Sequence, residues 1–163
     1  MAAALYPGTF DPITLGHLDV IVRSLPLFDR IEVAVGYNSN KKTLFSAEER
    51  AELIAQSVSQ WPKVRVSIME GLTVNTLKTL NCQVIIRGLR AISDFEYEMQ
   101  MALMNRRLLP EAETLYLMPK EELTYLNSSI VRELAQMGGP YESLVPEPVA
   151  NALKLKYANQ RKL

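Results

Sequence analysis

The chain has 163 residues, 48% of them hydrophobic, which suits a single domain, 1–163, with one substantial core. Lysine plus arginine number 18 and aspartate plus glutamate 18, so no global field draws the protein to nucleic acid or membrane, and any positive patch is local. No apolar run approaches a membrane span, Met1 to Tyr6 lacks the basic flank and length of a signal peptide, and the lone Cys82 rules out an internal disulfide, so the expected compartment is the cytoplasm.

Ala2 to Tyr6 reads as a short buried strand that ends in the punctuated turn Pro7-Gly8-Thr9-Phe10-Asp11-Pro12. Thr14-Leu15-Gly16-His17 then opens a helix whose Leu18, Ile21, Val22 and Leu25 recur at i, i+3, i+4 and i+7, with Pro26 marking its end. Unpaired N–H groups at such a helix start carry partial positive charge and suit a phosphate. The turn also delivers the only histidine of the chain.

Ile31 to Val35 is a second strand closed by Gly36, and Tyr37 to Thr43 is a polar loop with adjacent cations Lys41 and Lys42. Ser46 and Glu49 form a capping box ahead of a helix carrying Ala51, Ile54, Ala55 and Val58, which Pro62 terminates. Val64, Val66 and Ile68 alternate as a third strand, and Gly71-Leu72-Thr73 turns into a helical pattern at Val74, Leu77 and Leu80. Val84 to Ile86 is a fourth, wholly apolar strand that runs into Arg87-Gly88-Leu89-Arg90.

Ser93 with Glu96 forms a further capping box before the longest helix, Ser93 to Leu108. It has two apolar stripes, Phe95, Met99, Ala102 and Leu103 on one side and Tyr97, Met101, Met104 and Leu108 on another. Two stripes need two partners, so one is expected to face the sheet and the other a second subunit, making the protein a homo-oligomer; the alternative is a centrally buried helix. Thr114 to Met118 is the fifth strand. Asn127-Ser128-Ser129 opens a helix with Ile130, Val131, Leu134 and Met137, and Pro146 starts a last one with Val149, Leu153 and Tyr157 before a basic tail. Strands alternating with helices predict an α/β, Rossmann-like doubly wound sheet of five parallel strands with helices on both faces.

In such sheets ligands bind beyond the carboxyl ends of the strands, where strand order reverses. The groups that follow the five strands are Gly8 to His17, Tyr37 to Lys42, Gly71 to Thr73, Arg87 to Arg90 and Pro119 to Ser129. They are rich in phosphate-binding cations and hydroxyls and nearly free of carboxylates that could cage a metal. Neither a dinucleotide fingerprint nor a P-loop is present, no serine elbow occurs, and one histidine cannot build a histidine metal site. His17 is either a simple helix cap or, beside Gly16 and the helix dipole, a neutral donor to phosphate. Arg87 and Arg90 follow a buried strand, which holds a guanidinium rigidly for a bidentate phosphate contact. Glu98 alone reads as a surface or capping charge.

Thr14-Leu15-Gly16-His17 matches the T-x-G-H motif of the nucleotidyltransferase superfamily, and Asn127-Ser128-Ser129-Ile130-Val131-Arg132 resembles its second motif. Tyr6-Pro7-Gly8-Thr9-Phe10-Asp11-Pro12, Ile86-Arg87-Gly88-Leu89-Arg90 and Asp94-Phe95-Glu96-Tyr97-Glu98 are similar to the bacterial phosphopantetheine adenylyltransferases, in motif order over nearly the whole chain. That resemblance implies transfer of the adenylyl group of ATP to 4′-phosphopantetheine, giving dephospho-coenzyme A and pyrophosphate, with Mg²⁺ carried mainly on the ATP phosphates and no metal site of the protein's own. It also implies a homohexamer.

By the same resemblance Thr9, Lys41, Thr73 and Arg87 hold phosphopantetheine. ATP falls to Thr9, Phe10, His17, Gly88, Leu89, Arg90, Glu98, Leu123, Thr124, Tyr125, Leu126, Asn127, Ser128 and Ser129, with His17, Lys41 and Arg90 catalytic. The family usually has three serines where this chain begins with Asn127, whose side chain can still cap a helix. The chemistry that fits is direct in-line attack of the acceptor phosphate on the α-phosphorus, without a covalent intermediate. Two other readings stay open: a related transferase with another phosphorylated acceptor, and a non-catalytic nucleotide-binding module.

Overall fold

The computed structural model describes residues 2–37, 42–90 and 92–160. Lys41 and the basic tail at 161–163 lie outside the described residues, as does the side chain of Ser93, on which the second expected capping box rests. The elements in order are β1 (Ala3–Gly8), α1 (Leu15–Ser24), β2 (Arg30–Tyr37), α2 (Ala47–Ser57), β3 (Val64–Glu70), α3 (Thr73–Thr79), β4 (Val84–Gly88), α4 (Ile92–Leu108), β5 (Glu113–Leu117), α5 (Ser128–Met137) and α6 (Glu147–Gln160). The five strands pair in parallel in the order β3-β2-β1-β4-β5. Chain order therefore reverses between β1 and β4, and the two loops leaving those strands frame a crevice.

A parallel strand covered on both faces must be apolar throughout, and alternate residues must serve different cores. β1 shows this directly. Ala4 and Tyr6 join the larger core with Val33, Val35, Ile54, Ile86 and Leu153, while Ala3 and Leu5 join a smaller one with Val74, Leu77, Ile85 and Leu109. The expected Ser46–Glu49 capping box is present, with the Ser46 Oγ accepting from the Glu49 N–H at 3.1 Å and the Glu49 carboxylate accepting from the Ser46 N–H at 2.7 Å. α1 ends at Ser24, ahead of Pro26.

The expected placement of α4 is corrected. Neither stripe faces the sheet: Phe95, Met99, Leu103, Tyr97, Met101, Met104 and Leu108 are all exposed. Among the described side chains of α4 only Glu98 is buried, with Ala102 half-buried on the same side one turn on. The inward line runs through Glu98 and, at i+4, Ala102, the one member of either stripe that is half-buried.

Two buried charges hold the crevice loops in place. The Arg50 guanidinium, 3% exposed, donates to four main-chain carbonyls: Phe45 and Ser46 at the start of α2, Thr9 after β1 and Gly36 at the end of β2. The Asp11 carboxylate accepts from the N–H groups of Leu44 and Phe45 at 2.8 and 3.0 Å. Arg132 of α5 lies 3.5 Å from that carboxylate and donates to the Asp11 carbonyl. Removing Asp11 takes the acceptor from two main-chain N–H groups, that of Phe45 buried, and the counter-charge from Arg132, whose side chain is 33% exposed. Asp11→Ala is accordingly expected to lower the unfolding free energy by roughly 2–4 kcal/mol in urea denaturation. A loss below about 1 kcal/mol would show that this charge cluster does not hold the loops.

Candidate active site

The T-x-G-H stretch has a simple physical reading. Thr14 is the N-cap of α1 and His17 its third residue, and the two form a capping box in which histidine takes the place usually filled by glutamate or glutamine. The Thr14 Oγ accepts from the His17 N–H at 3.4 Å, and the Thr14 N–H donates to His17 Nδ1 at 3.0 Å. A main-chain N–H can only donate, so Nδ1 carries the lone pair and the neutral ring carries its proton on Nε2. Burial, reinforced by the positive charges of Arg90 and Arg87, lowers the His17 pKa from 6.5 to about 4. The ring is thus a fixed neutral donor at neutral pH.

Aromatic packing fixes the other coordinates of the ring. Phe10 stands edge-on to His17 at 5.1 Å and edge-on to Tyr6 at 5.2 Å between centroids. Its backbone takes a φ of 49°, in the left-handed region that side chains rarely adopt. The same geometry explains Gly8, because a Cβ there would lie 2.7 Å from the Phe10 ring. At Gly16 a Cβ would meet the Leu123 carbonyl at an ordinary 3.6 Å, so no internal clash demands that glycine.

Two cavities open on this turn. The first, about 460 Å³, is lined by Thr9, Phe10, Gly16, His17, Gly88, Arg90, Glu98, Leu126, Asn127 and Ser128, together with Tyr6 and Tyr97. The second, about 320 Å³, is lined by Thr9, Thr73 and Arg87 with Gly36, Met101 and Asn105. Thr9, Arg87, Tyr97 and Glu98 belong to both. The three described residues expected to hold phosphopantetheine therefore meet in one cavity. Most of those expected to hold ATP meet in the other, whereas Leu89, Leu123, Thr124, Tyr125 and Ser129 are not among the lining residues.

The polar groups in this region are already partly engaged. Arg90 donates to the Leu126 carbonyl at 3.2 Å, which ties the end of β4 to the loop before α5. The Asn127 side-chain oxygen caps α5 by accepting from the Ile130 N–H at 2.9 Å, and Ser128 donates to the Pro12 carbonyl. Arg87 is held by Glu98 in a two-pronged ion pair. Among the described residues no three histidine, cysteine, aspartate or glutamate side chains converge on a point that could hold a metal.

Reading the residues alone missed four participants: Tyr6, Asp11, Arg50 and Tyr97. Arg50 follows a capping box on what looks like an exposed first turn, and nothing local distinguishes it from a solvated cation. Asp11 stands in a turn where aspartate is commonplace.

The neutral state of His17 is directly measurable, since it is the only histidine. Its ring resonances are expected to stay those of the neutral Nε2–H form from pH 8 to below pH 5.5, moving only near pH 4. The folded value lies below that of the unfolded chain, so the unfolded state takes the proton first. The stability linked to this ring is then complete above about pH 6.5 and is lost as pH falls toward 4. A titration centred above pH 6 would contradict the assignment.

With this geometry in view, the comparisons with known proteins are specific. The cytidylyltransferase-like family model matches residues 5–134. A phosphopantetheine adenylyltransferase of Carboxydothermus hydrogenoformans is 51% identical over 98% of this chain and 99% of its own. That of Methylacidiphilum infernorum is 52% identical over 96% of this chain and 91% of its own. Among solved structures, a lipopolysaccharide core biosynthesis protein from Thermoplasma volcanium superposes with a TM-score of 0.57 at 21% identity, over 74% of this chain and 99% of its own, a likeness of fold alone. A family match spanning both motif turns, and half identity along nearly the full length, mean that the chain belongs to the phosphopantetheine adenylyltransferases of the cytidylyltransferase-like family.

Proposed function

We propose that the protein transfers the adenylyl group of ATP to 4′-phosphopantetheine, forming dephospho-coenzyme A and pyrophosphate in coenzyme A synthesis. The observation that carries this reading is the pair of adjoining cavities, one lined by His17 and Arg90 and the other by Thr73, with Thr9 and Arg87 on the seam. Two polyanions bound in adjoining pockets bring an acceptor phosphate next to the α-phosphorus of ATP. An oxygen of that phosphate forms the new P–O bond as the bond to pyrophosphate breaks. The nucleophile is already ionised, so no general base and no enzyme-bound intermediate are needed.

The work left to the protein is positioning and charge stabilisation. The Nε2–H of His17 is fixed before the substrates arrive, and so costs no reorganisation when charge builds on the α-phosphoryl oxygens. Lys41, which we assign from the family resemblance, would share that role. Arg90 and the N-terminal N–H groups of α5 at Ser128 and Ser129 suit the departing pyrophosphate. The described residues offer no cage for Mg²⁺, which would travel on the triphosphate and neutralise part of its charge.

We also read the protein as a homohexamer working in the cytoplasm. The outward apolar residues of α4 support assembly, since such a surface is a liability on a monomer. A free Cys82 suits a reducing compartment, and among the described residues no helix is long and apolar enough to cross a membrane.

Three experiments test these readings. Pyrophosphate release from ATP is expected with 4′-phosphopantetheine and not with nicotinamide mononucleotide or glycerol phosphate. His17→Ala should lower kcat on the order of 10²-fold or more with modest change in KM, and a full-rate variant would remove His17 from the mechanism. Sedimentation at micromolar concentration should show an assembly several times the 18.4 kDa chain, and a clean monomer would contradict it.

A further inference from the structure

The longest helix of the protein turns a glutamate, not an apolar stripe, toward the body of the molecule. Glu98 is 8% exposed and is the only buried side chain among the described ones of α4. Its helix is tied down at the same residue, where the Tyr116 hydroxyl donates to the Glu98 main-chain carbonyl at 2.8 Å. Tyr116 on β5 is the direct register partner of Arg87 on β4. Two neighbouring strands thus converge on one residue of α4, the first through its carboxylate and the second through its backbone.

Both oxygens of the carboxylate engage Arg87. Its Oε2 accepts from Nε at 2.7 Å and its Oε1 from Nη2 at 2.5 Å, while Nη1 donates to the Pro7 carbonyl at 2.8 Å. A guanidinium has five N–H donors, and three are engaged here, so one remains on each terminal nitrogen. The side chain of Arg87 is 31% exposed and that of Glu98 10%, so the arginine reaches the cavities and the glutamate stands behind it. Burial works against the charge of Arg87, but the hydrogen bond and charge of Glu98 outweigh it and keep the arginine more basic than usual.

We infer that Glu98 is a positioning residue for the acceptor: by clamping one edge of the Arg87 guanidinium it aims the two remaining donors at the phosphate of 4′-phosphopantetheine. This task is separate from the contact with ATP that the family resemblance implies for this position. The inference rests on the proposed acceptor. It assigns Glu98 to the second cavity through Arg87, although the residue lines both. A carboxylate suits this task because it repels phosphate if it touches it, and helps phosphate only through a cation held between them.

The test is titration calorimetry of the full chain with 4′-phosphopantetheine and, separately, with ATP. Glu98→Gln keeps the size of the side chain but loses the charge and one prong. It should weaken phosphopantetheine by about 10-fold or more, and ATP by less. A double-mutant cycle separates this from general loosening: in an Arg87→Lys background, which has no edge to clamp, adding Glu98→Gln should change phosphopantetheine affinity less than about twofold. Equal losses for both ligands, or a larger loss for ATP, would overturn the inference, as would additivity in the cycle. If the unaltered chain bound ATP but no phosphopantetheine, the proposed function would fall first and the inference with it. Tight phosphopantetheine binding untouched by Glu98→Gln would overturn the inference alone.

Discussion

One hydrogen bond organises the site, that from the Thr14 N–H to His17 Nδ1. It closes a capping box, so it starts α1; it fills the Nδ1 lone pair, so it leaves the proton on Nε2; and it fixes the ring, which Phe10 then holds from the side. Helix start, tautomer and donor direction follow from one local interaction. A glutamate at the same helix position would cap equally well, but it would set a negative charge against a phosphate. Histidine lets a cap serve as a neutral donor, and burial beside two arginines keeps it neutral.

The cap is useful only if the loops around it are fixed to comparable accuracy. Side chains on loops are poor supports, and this fold replaces that support with buried charges bonded to main chain. Arg50 joins the ends of β1 and β2 through the Thr9 and Gly36 carbonyls. Asp11 joins the same turn to the start of α2 and, through Arg132, to α5. Arg90 and Glu98 do the corresponding work on the β4 side, at Leu126 and Arg87. The crevice at the reversal of strand order is therefore rimmed by fixed backbone, and catalysis by positioning becomes possible without a metal cage or a covalent nucleophile.

Much of this was legible in the residues, and the reasons for the gaps are physical. Strands buried on both faces and helices with one apolar face announce themselves by period, so all five strands and six helices were anticipated with modest differences at their ends. Thr14 to His17 and Ser46 to Glu49 could be seen because caps are local. The orientation of α4 could not, since apolar periodicity identifies stripes but not which side of a helix the fold turns inward, and here it turned a glutamate in. Arg50 was equally opaque: its partners are carbonyl oxygens, identical at every position, so a sequence holds no trace of the pairing. Arg87 stood out as a candidate phosphate ligand, but its clamp by Glu98, eleven residues away across a loop and a helix turn, depends on tertiary geometry.

The most direct test of the central claim is exchange of labelled pyrophosphate into ATP. Direct in-line transfer between two adjoining sites predicts label in ATP only when 4′-phosphopantetheine is present, because the adenylyl group never rests on the enzyme. Exchange in the absence of any acceptor would require an adenylyl-enzyme and contradict the account, and so would its absence when phosphopantetheine is supplied.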